Sequence, residues 1–420
     1  MNEPVLPVPV PTAIASAGSK RDCLYPAGYN NPMNQRIYLD YAATTPLRPE
    51  VRAIMEPYLS PDGFGNPSSL HADGQRAKRA LDTARDILAS ALGCQFSETS
   101  FTSGGTESDN AALVGVMLAN KTRGNHLITT KIEHEAVTET ARFLETLGFR
   151  VTYLPVDELG TVSPQSVADA LTDETVLVSV MHANNEVGTI QPLREIADIV
   201  HQRGAYLHTD AVQTFGQLPL TVAALGVDLL TLSAHKIYGP KGAGSLYVRS
   251  GIVIEPLLHG GGQERERRSG TENVAAIAGF GEAVRLLLPE RNTEATRLTY
   301  LRDRLWSVLS ERIPGVVLNG SSTNRLPNNL NISLPGLDAE TLLLSLDRVG
   351  VSASSGSACT SGSIEPSHVL SAMGLPDART KSALRLTLGR GTMEEEINRT
   401  VEILAGIAER LGGVRNTVKP

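Results

Sequence analysis

Residues 229–242 read LLTLSAHKIYGPKG, a short apolar run followed by a cluster of polar residues. The run at residues 229–232 predicts a buried strand, and Ser233, His235 and Lys236 follow where that strand would end. A lysine at a buried strand end can have its pKa lowered enough to act as an imine-forming amine, whereas a lysine on a surface loop is usually an ordinary charge. One lysine alone is weak evidence for such a role, so we looked for other residues in the chain that would act with it.

Further strand candidates surround this stretch, and a clear helix at residues 192–202 lies between two of them. They are His126–Thr130 and Gly244–Val248, together with residues 99–101, 151–154, 176–181 and 206–208. Short apolar runs that alternate with helical periods indicate an α/β protein with a largely parallel sheet.

The alternation of short apolar runs and helices ends near Glu264. Two amphipathic helices are predicted at residues 274–288 and 294–312, followed by strands at residues 316–318 and 329–334. We therefore expect three parts: a flexible N-terminal extension (residues 1–35), a large α/β domain (residues 36–290) and a small C-terminal α+β domain (residues 291–420) that contains Cys359.

Composition excludes several classes of function. The 420 residues carry a net charge of -7 without a basic block, which argues against a nucleic-acid partner. The most apolar helical stretch, residues 274–288, contains Glu282 and Arg285, so we expect no membrane insertion. The three cysteines form no CxxC pair, which supports neither a disulfide framework nor a cysteine-rich metal site. A reducing, cytoplasmic location without a bound metal is expected.

The first 35 residues are rich in Pro, Ala and Ser. They lack the apolar core of a secretion signal and the Arg-rich pattern of a transit peptide. We interpret them as an extension, and Cys23 within them as an incidental thiol.

Residues 102–110, TSGGTESDN, form a polar turn before a predicted helix. The backbone amides of Gly105 and Thr106, with the Thr106 hydroxyl, could hold a phosphate there, because unpaired amides and the helix dipole converge on a helix start. An ordinary capped helix explains the same residues. The chain contains no Walker sequence, so nucleotide binding gains no support.

Two more polar residues follow predicted strands. Asp210 stands in LHTDAVQ (residues 207–213), where a carboxylate would face the ligand edge of a parallel sheet. It either caps a local turn or pairs with a cation, such as a protonated pyridine nitrogen. His134, in KIEHEAV, follows another strand candidate, although a lone histidine is more often packed or capping than catalytic.

Residues 352–363, SASSGSACTSGS, place Cys359 among small, flexible residues. A nucleophile that must travel between two partners needs such a setting. The segment predicts a sulfur carrier.

Nine motifs occur in a defined order along the chain. They are GNPSSLH at Gly65, TSGGTESD at Thr102, IEHEAV at Ile132, ANNEVG at Ala183, HTDAVQ at His208, SAHKIYGPKG at Ser233, RRSGTEN at Arg267, SSGSACTSG at Ser354 and EPSHVL at Glu365. Together they resemble the NifS/IscS cysteine desulfurases, and NifS most closely, over residues 37–412. The resemblance implies the aspartate aminotransferase-like fold type I of class V, pyridoxal 5'-phosphate-dependent enzymes.

The resemblance also implies a role for each matching residue. Lys236 would bind the cofactor covalently, Asp210 would hold its ring nitrogen protonated, Gln213 would bond the ring hydroxyl, and His134 would stack on the ring and belong to the catalytic set with Lys236 and Cys359. Gly105, Thr106, Ser233 and His235 would surround the phosphate, and Thr271 would reach the phosphate of a second subunit, which implies a homodimer.

Substrate and product follow from the same resemblance. Asn185, which also contacts the cofactor, and Arg385 would hold the carboxylate of L-cysteine, for which a planar guanidinium is suited. Cys359 would take the sulfur as a persulfide, leave alanine, and pass the sulfur to an iron-sulfur scaffold or another acceptor protein. The sequence departs from the family pattern at Gly105, where alanine or cysteine is more common.

Three alternatives remain open at this point. A related lyase acting on selenocysteine or a class V aminotransferase would share the cofactor residues, but a transaminase has no need of Cys359. A scaffold that only binds partners would leave Lys236, Asp210, His134, Arg385 and Cys359 without a purpose. The physiological acceptor, whether nitrogenase clusters, general iron-sulfur assembly or thiolated tRNA, is not decided by the sequence.

Overall fold

The computed structural model describes residues 36–355 and 366–417, without the side chains of residues 413–417. The strands are β1 (Ile37–Tyr38), β2 (Thr99–Thr102), β3 (His126–Thr130), β4 (Arg150–Leu154), β5 (Thr175–Ser179), β6 (Tyr206–Asp210), β7 (Leu229–Ser233), β8 (Gly244–Val248), β9 (Val317–Leu318), β10 (Asn329–Ser333), β11 (Val351–Ser352) and β12 (Ala383–Thr387). The helices are α1 (Pro49–Met55), α2 (Ala72–Leu92), α3 (Gly105–Ala119), α4 (Glu135–Thr146), α5 (Pro164–Ala170), α6 (Leu193–Gln202), α7 (Val222–Leu225), α8 (Val274–Arg312), α9 (Ala339–Arg348), α10 (His368–Ala372), α11 (Asp377–Thr380) and α12 (Glu394–Thr417).

Seven strands form the main sheet in the order β2-β8-β7-β6-β5-β3-β4. The prediction of a largely parallel α/β sheet is confirmed, and the predicted strands are present with ends that move by two residues at most. β8 is the exception, because it runs antiparallel to both of its neighbours. Only residues 234–243 join β7 to β8, and a parallel crossover needs a dozen residues or more, so the chain must turn back.

The region beyond the main sheet differs from the sequence prediction in one respect. Helices predicted at residues 274–288 and 294–312 are a single helix, α8, with Pro289 inside it. Proline removes one helical hydrogen bond, but both halves of α8 are fixed by packing. Leu298, Leu301 and Leu305 lie in a second core around β10 and β12, while Phe280 lies in the core of the main sheet.

The small C-terminal sheet is antiparallel, in the order β12-β10-β9, and its core is lined by leucines of α8, α9 and α12. The predicted boundary between residues 290 and 291 therefore falls inside a continuous helix. The division into a large and a small domain stays a prediction. None of the helices in the described part of the chain is long and apolar enough to span a membrane.

Polar residues gather where the parallel strands end. His134 lies four residues beyond β3, Asn185 follows β5, Asp210 is the last residue of β6, and Lys236 lies three residues beyond β7. The carboxyl ends of parallel strands share one edge of the sheet, where ligands bind in open α/β folds. The topology thus brings together side chains that are 102 residues apart in the sequence, the separation between His134 and Lys236.

Candidate active site

A cavity of about 210 Å³ opens at this edge of the sheet. Its lining residues are Gly105, Thr106, Asp109, His134, Met181, Ala183, Asn185, Asp210, Val212, Gln213, Ser233, His235 and Lys236. Nine of the ten residues that the sequence predicts around a cofactor therefore line one cavity. The tenth, Thr271, lines a neighbouring recess with Arg268 and Glu272.

Lys236 ends a short 3₁₀ turn that follows β7. Its Nζ donates hydrogen bonds to the carbonyl oxygens of Ala42 and Ala43, at 2.5 and 2.8 Å. The turn is tight enough to need a glycine at position 239, because a Cβ there would lie 2.8 Å from the carbonyl oxygen of Ala234. The local sequence thus aims the lysine amine into the cavity.

The amine of Lys236 is a weaker base than an ordinary lysine. Its pKa is lowered from 10.5 to about 8, chiefly by burial and also by the nearby Arg385, while the carboxylates of Asp210 and Asp40 act in the opposite direction. A substantial neutral fraction near neutral pH is what an imine-forming or proton-carrying amine requires.

Asp210 is buried at the floor of the cavity. Its Oδ1 accepts the Val212 amide at 2.8 Å, and burial raises the pKa of its carboxyl. Asp210 therefore does cap a local turn, which was one of the two roles considered from the sequence. A second partner is still needed, because a buried carboxylate is costly without a cation, and a protonated ring nitrogen would be one.

Two further buried acids lie close to Asp210, and sequence reasoning missed both. Asp109 lines the cavity from α3, and its Oδ1 has no hydrogen-bond partner among the described residues. Glu133 accepts the Thr130 hydroxyl and the Met181 amide, and burial raises its pKa to about 8. Asp109 and Asp210 both line the cavity, and a cationic ligand there would favour their ionised forms.

His134 caps helix α4, and the same geometry sets its chemistry. Its Nδ1 accepts the amide of Ala136 at 3.0 Å. An acceptor nitrogen cannot carry the proton, so the neutral ring carries its proton on Nε2. The histidine is both a capping residue and part of the cavity wall, and its catalytic role stays a prediction.

The start of α3 closes another side of the cavity. Gly105 and Thr106 open this helix of 15 residues, and a Cβ at position 105 would lie 3.1 Å from Val212 Cγ2. Ser233 and His235 line the same recess as Gly105 and Thr106. The Nδ1 of His235 lies 3.1 Å from Thr44 Oγ1, and burial lowers the pKa of this histidine to about 4. Free amides, hydroxyls and a neutral imidazole are donors suited to a phosphate.

Arg385 lies beside this cavity in β12, and it is 5% exposed. Its Nη1 donates to the carbonyl oxygen of Asn185 at 3.1 Å, and its Nη2 lies 2.8 Å from Asp40 Oδ1. The Nε atom has no partner among the described residues. A buried guanidinium with a free edge is suited to a carboxylate.

Residues 40–45, DYAATT, form a wall of the site that sequence reasoning missed. This segment supplies Asp40 to Arg385, carbonyl oxygens to Lys236, and the Ala42 oxygen to Gln213 Nε2 at 3.0 Å. No motif in the segment signals this, because its contacts are made mainly by the backbone. Cys359, the predicted sulfur carrier, lies outside the described residues.

The chain matches known proteins over most of its length. The family model described as aminotransferase class-V matches residues 37–400. A protein named cysteine desulfurase IscS from Dictyoglomus turgidum is 52% identical over 379 residues, which cover 90% of this chain and 96% of that protein. A protein of the same name from Methanosarcina thermophila is 50% identical over 378 residues, which cover 90% and 93%.

Solved structures agree with these relatives. A structure titled NifS-like protein matches with a TM-score of 0.83 and 38% identity, over 90% of this chain and all of that one. A structure titled SspA in complex with cysteine matches with a TM-score of 0.75 and 37% identity, over 84% of this chain and 98% of that one.

Proposed function

Because this chain belongs to the class V aminotransferases and, among them, to the cysteine desulfurases, we propose that the cavity around Lys236 is the site where the sulfur of L-cysteine is removed. The chain is a pyridoxal phosphate-dependent cysteine desulfurase, as the resemblance in its sequence implied. One observation supports this placement above the others: Lys236, Asp210 and His134 converge on one cavity from three different strand ends.

The residues present fit pyridoxal 5'-phosphate. When bound, the cofactor withdraws electrons from the substrate carbon next to the amine. We assign Lys236 to the covalent link, Asp210 to the ring nitrogen and Gln213 to the ring hydroxyl. His134 would cover the ring face, and Gly105, Thr106, Ser233 and His235 would surround the phosphate. Asp109 lines the cavity beside Asp210, and its Oδ1 accepts no hydrogen bond from the described residues and lies 3.6 Å from His208 Nε2.

Arg385 and Asn185 are assigned to the α-carboxylate of the substrate. The free Nε edge of Arg385 supports this role, since one planar guanidinium can bond both carboxylate oxygens. We assign the α-proton to Lys236, once this residue is displaced by the substrate amine, because a pKa of about 8 supports the uptake and release of protons near neutral pH.

Cys359 is assigned to the sulfur itself. Its thiolate would attack the substrate sulfur, so that a sulfur-sulfur bond forms while the carbon-sulfur bond breaks, and alanine would be the second product. The persulfide would then go to an iron-sulfur scaffold or another acceptor protein. Thr271 lines a recess outside the cavity, and its proposed reach toward the phosphate of a second copy in a homodimer follows from the family resemblance.

The test separates the cofactor residues from the sulfur carrier. Cys359→Ser should keep the bound cofactor and its visible absorbance and yet release almost no sulfide or alanine from L-cysteine. Lys236→Ala should lose both the visible absorbance of the lysine-bound cofactor and the release of sulfide and alanine. The matched control is Cys94→Ser, because burial raises the pKa of that thiol to about 12 and the residue packs against the main core. Normal sulfide release by Cys359→Ser would favour a lyase without a sulfur-carrying cysteine.

A further inference from the structure

The guanidinium of Arg385 is held on one edge and free on the other. Nη2 lies 2.8 Å from Asp40 Oδ1, Nη1 donates to the oxygen of Asn185, and Nε is buried without a partner among the described residues. The five N-H groups of a guanidinium lie in one plane. Once Asp40 and Asn185 fix two of its nitrogens, the direction of the Nε edge is fixed as well.

Asp40 is itself held in place by backbone contacts with β12. Thr387, two residues beyond Arg385, donates its amide to the oxygen of Leu39 at 2.8 Å, and its Oγ1 accepts the amide of Ala42 at 2.9 Å. Asp40 forms a parallel bridge with the same threonine. The backbone that carries the Asp40 carboxylate is therefore fixed relative to β12, the strand that carries Arg385.

The exposure of the two partners also distinguishes this pair from a surface salt bridge. The side chain of Arg385 is 6% exposed and that of Asp40 is 20% exposed. Surface ion pairs contribute little, whereas a nearly buried arginine without its carboxylate would leave a charge uncompensated and free to reorient. Asp40 thus matters for where the guanidinium points as well as for its charge.

From these contacts we propose that Asp40 is a positioning residue for substrate recognition. It holds Arg385 through Nη2 so that the Nε edge is presented to the α-carboxylate of the amino-acid substrate. The proposal rests on the proposed role of Arg385. It assigns to Asp40 no contact with the reacting atoms.

The experiment compares Asp40→Ala and Asp40→Asn in the full, cofactor-loaded protein. Asp40→Ala should raise the KM for L-cysteine and weaken the binding of L-alanine, measured by calorimetry, by about tenfold each, while kcat stays within about twofold. Asp40→Asn keeps an oxygen that can accept from Nη2, so its effect should be smaller. A smaller effect in Asp40→Asn than in Asp40→Ala would not arise from a general loss of folding. Thermal unfolding of both variants measures their stability.

Asp303→Asn is the matched control. Asp303 pairs at 2.7 Å with Arg302, whose side chain is similarly buried at 7% exposure, but the pair does not contact the cavity. The Asp303→Asn variant should leave the KM for L-cysteine and the binding of L-alanine unchanged. An unchanged KM in Asp40→Ala would overturn the proposal, and a lower KM would show instead that Asp40 competes with the substrate for Arg385. If Arg385→Ala also leaves KM unchanged, the role of Arg385 fails as well; if it raises KM, only the role of Asp40 fails.

Discussion

The Nζ atom of Lys236 lies 2.8 Å from the carbonyl oxygen of Ala43, although 193 residues separate the two along the chain. With the oxygen of Ala42, this carbonyl provides two acceptors for the lysine amine. The amine is therefore already placed in the cavity by the protein alone. Covalent capture of a cofactor then requires the loss of a proton from the amine and the loss of these two hydrogen bonds.

The purified protein should be yellow, and borohydride should fix the cofactor to Lys236. The cavity geometry favours this lysine over Lys241, which lines an adjoining recess. Peptide mapping after reduction checks the site, and Lys241→Ala serves as the control that should still be labelled. A modified peptide containing Lys241 alone would contradict the assignment.

Cofactor capture should depend on pH with a midpoint near 8. The pKa of Lys236 is lowered to about 8, so the reactive neutral amine forms as the pH rises through that value, well below the 10.5 of an ordinary lysine. The measurement is the rate at which visible absorbance appears when pyridoxal phosphate is added to the cofactor-free protein. A rate that keeps rising up to pH 10 would contradict the shift.

The same shift has a consequence for stability. Between about pH 8 and 10.5 the unfolded chain binds the Lys236 proton more tightly than the folded chain does. The contribution of this lysine to the free energy of unfolding of the cofactor-free protein should therefore increase with pH in that window. Denaturant unfolding at several pH values, compared with Lys236→Met, isolates the effect.

Arg385→Ala should raise the KM for L-cysteine strongly. The loss of a charge-assisted, bidentate contact corresponds to about 1.5–3 kcal/mol. Arg385→Lys keeps the charge but loses the planar fork, so it should recover only part of the affinity. Steady-state kinetics of both variants measure this. An unchanged KM in Arg385→Ala would place carboxylate recognition elsewhere.

Glu266→Gly should stabilise the protein by about 1 kcal/mol. Glu264, Arg265 and Glu266 have φ values of 48°, 57° and 65°, in the left-handed region that disfavours residues with a Cβ. Glu264 is held there by a buried ion pair with Arg85, at 2.7 Å, whereas Glu266 is exposed.

Glu266→Ala is the control for this prediction, because alanine keeps the Cβ and therefore the conformational cost. Thermal unfolding of the two variants compares them. A gain in Glu266→Ala equal to that in Glu266→Gly would point to the removed charge rather than to the backbone.

Much of the fold could be predicted from local pattern. The apolar runs at β3, β7 and β8 determine strands, since burial on both faces of a sheet requires continuous apolar residues. Where such strands are parallel, their carboxyl ends must share one edge, so the placement of Asp210 and Lys236 at one site followed from the alternation of elements. The family motifs then assigned a chemistry to that edge.

Other features depended on contacts between distant parts of the chain. The sequence predicted two helices, at residues 274–288 and 294–312, but the packing of both halves of α8 in two cores overrides the local cost of Pro289. The antiparallel direction of β8 results from the short connection that precedes it.

The sequence by itself determined which residues could carry the chemistry, because lysine, aspartate, histidine and arginine act through their own side chains. Only the tertiary structure decided what surrounds them. Asp40 and Ala42 lie in none of the quoted motifs, and Asp109, although it ends the TSGGTESD motif, has no role predicted from it. They gain their roles from proximity to Arg385, Lys236 and Asp210. Electrostatic shifts and backbone contacts depend on distance in space, and distance in space between remote segments is set by packing rather than by local pattern.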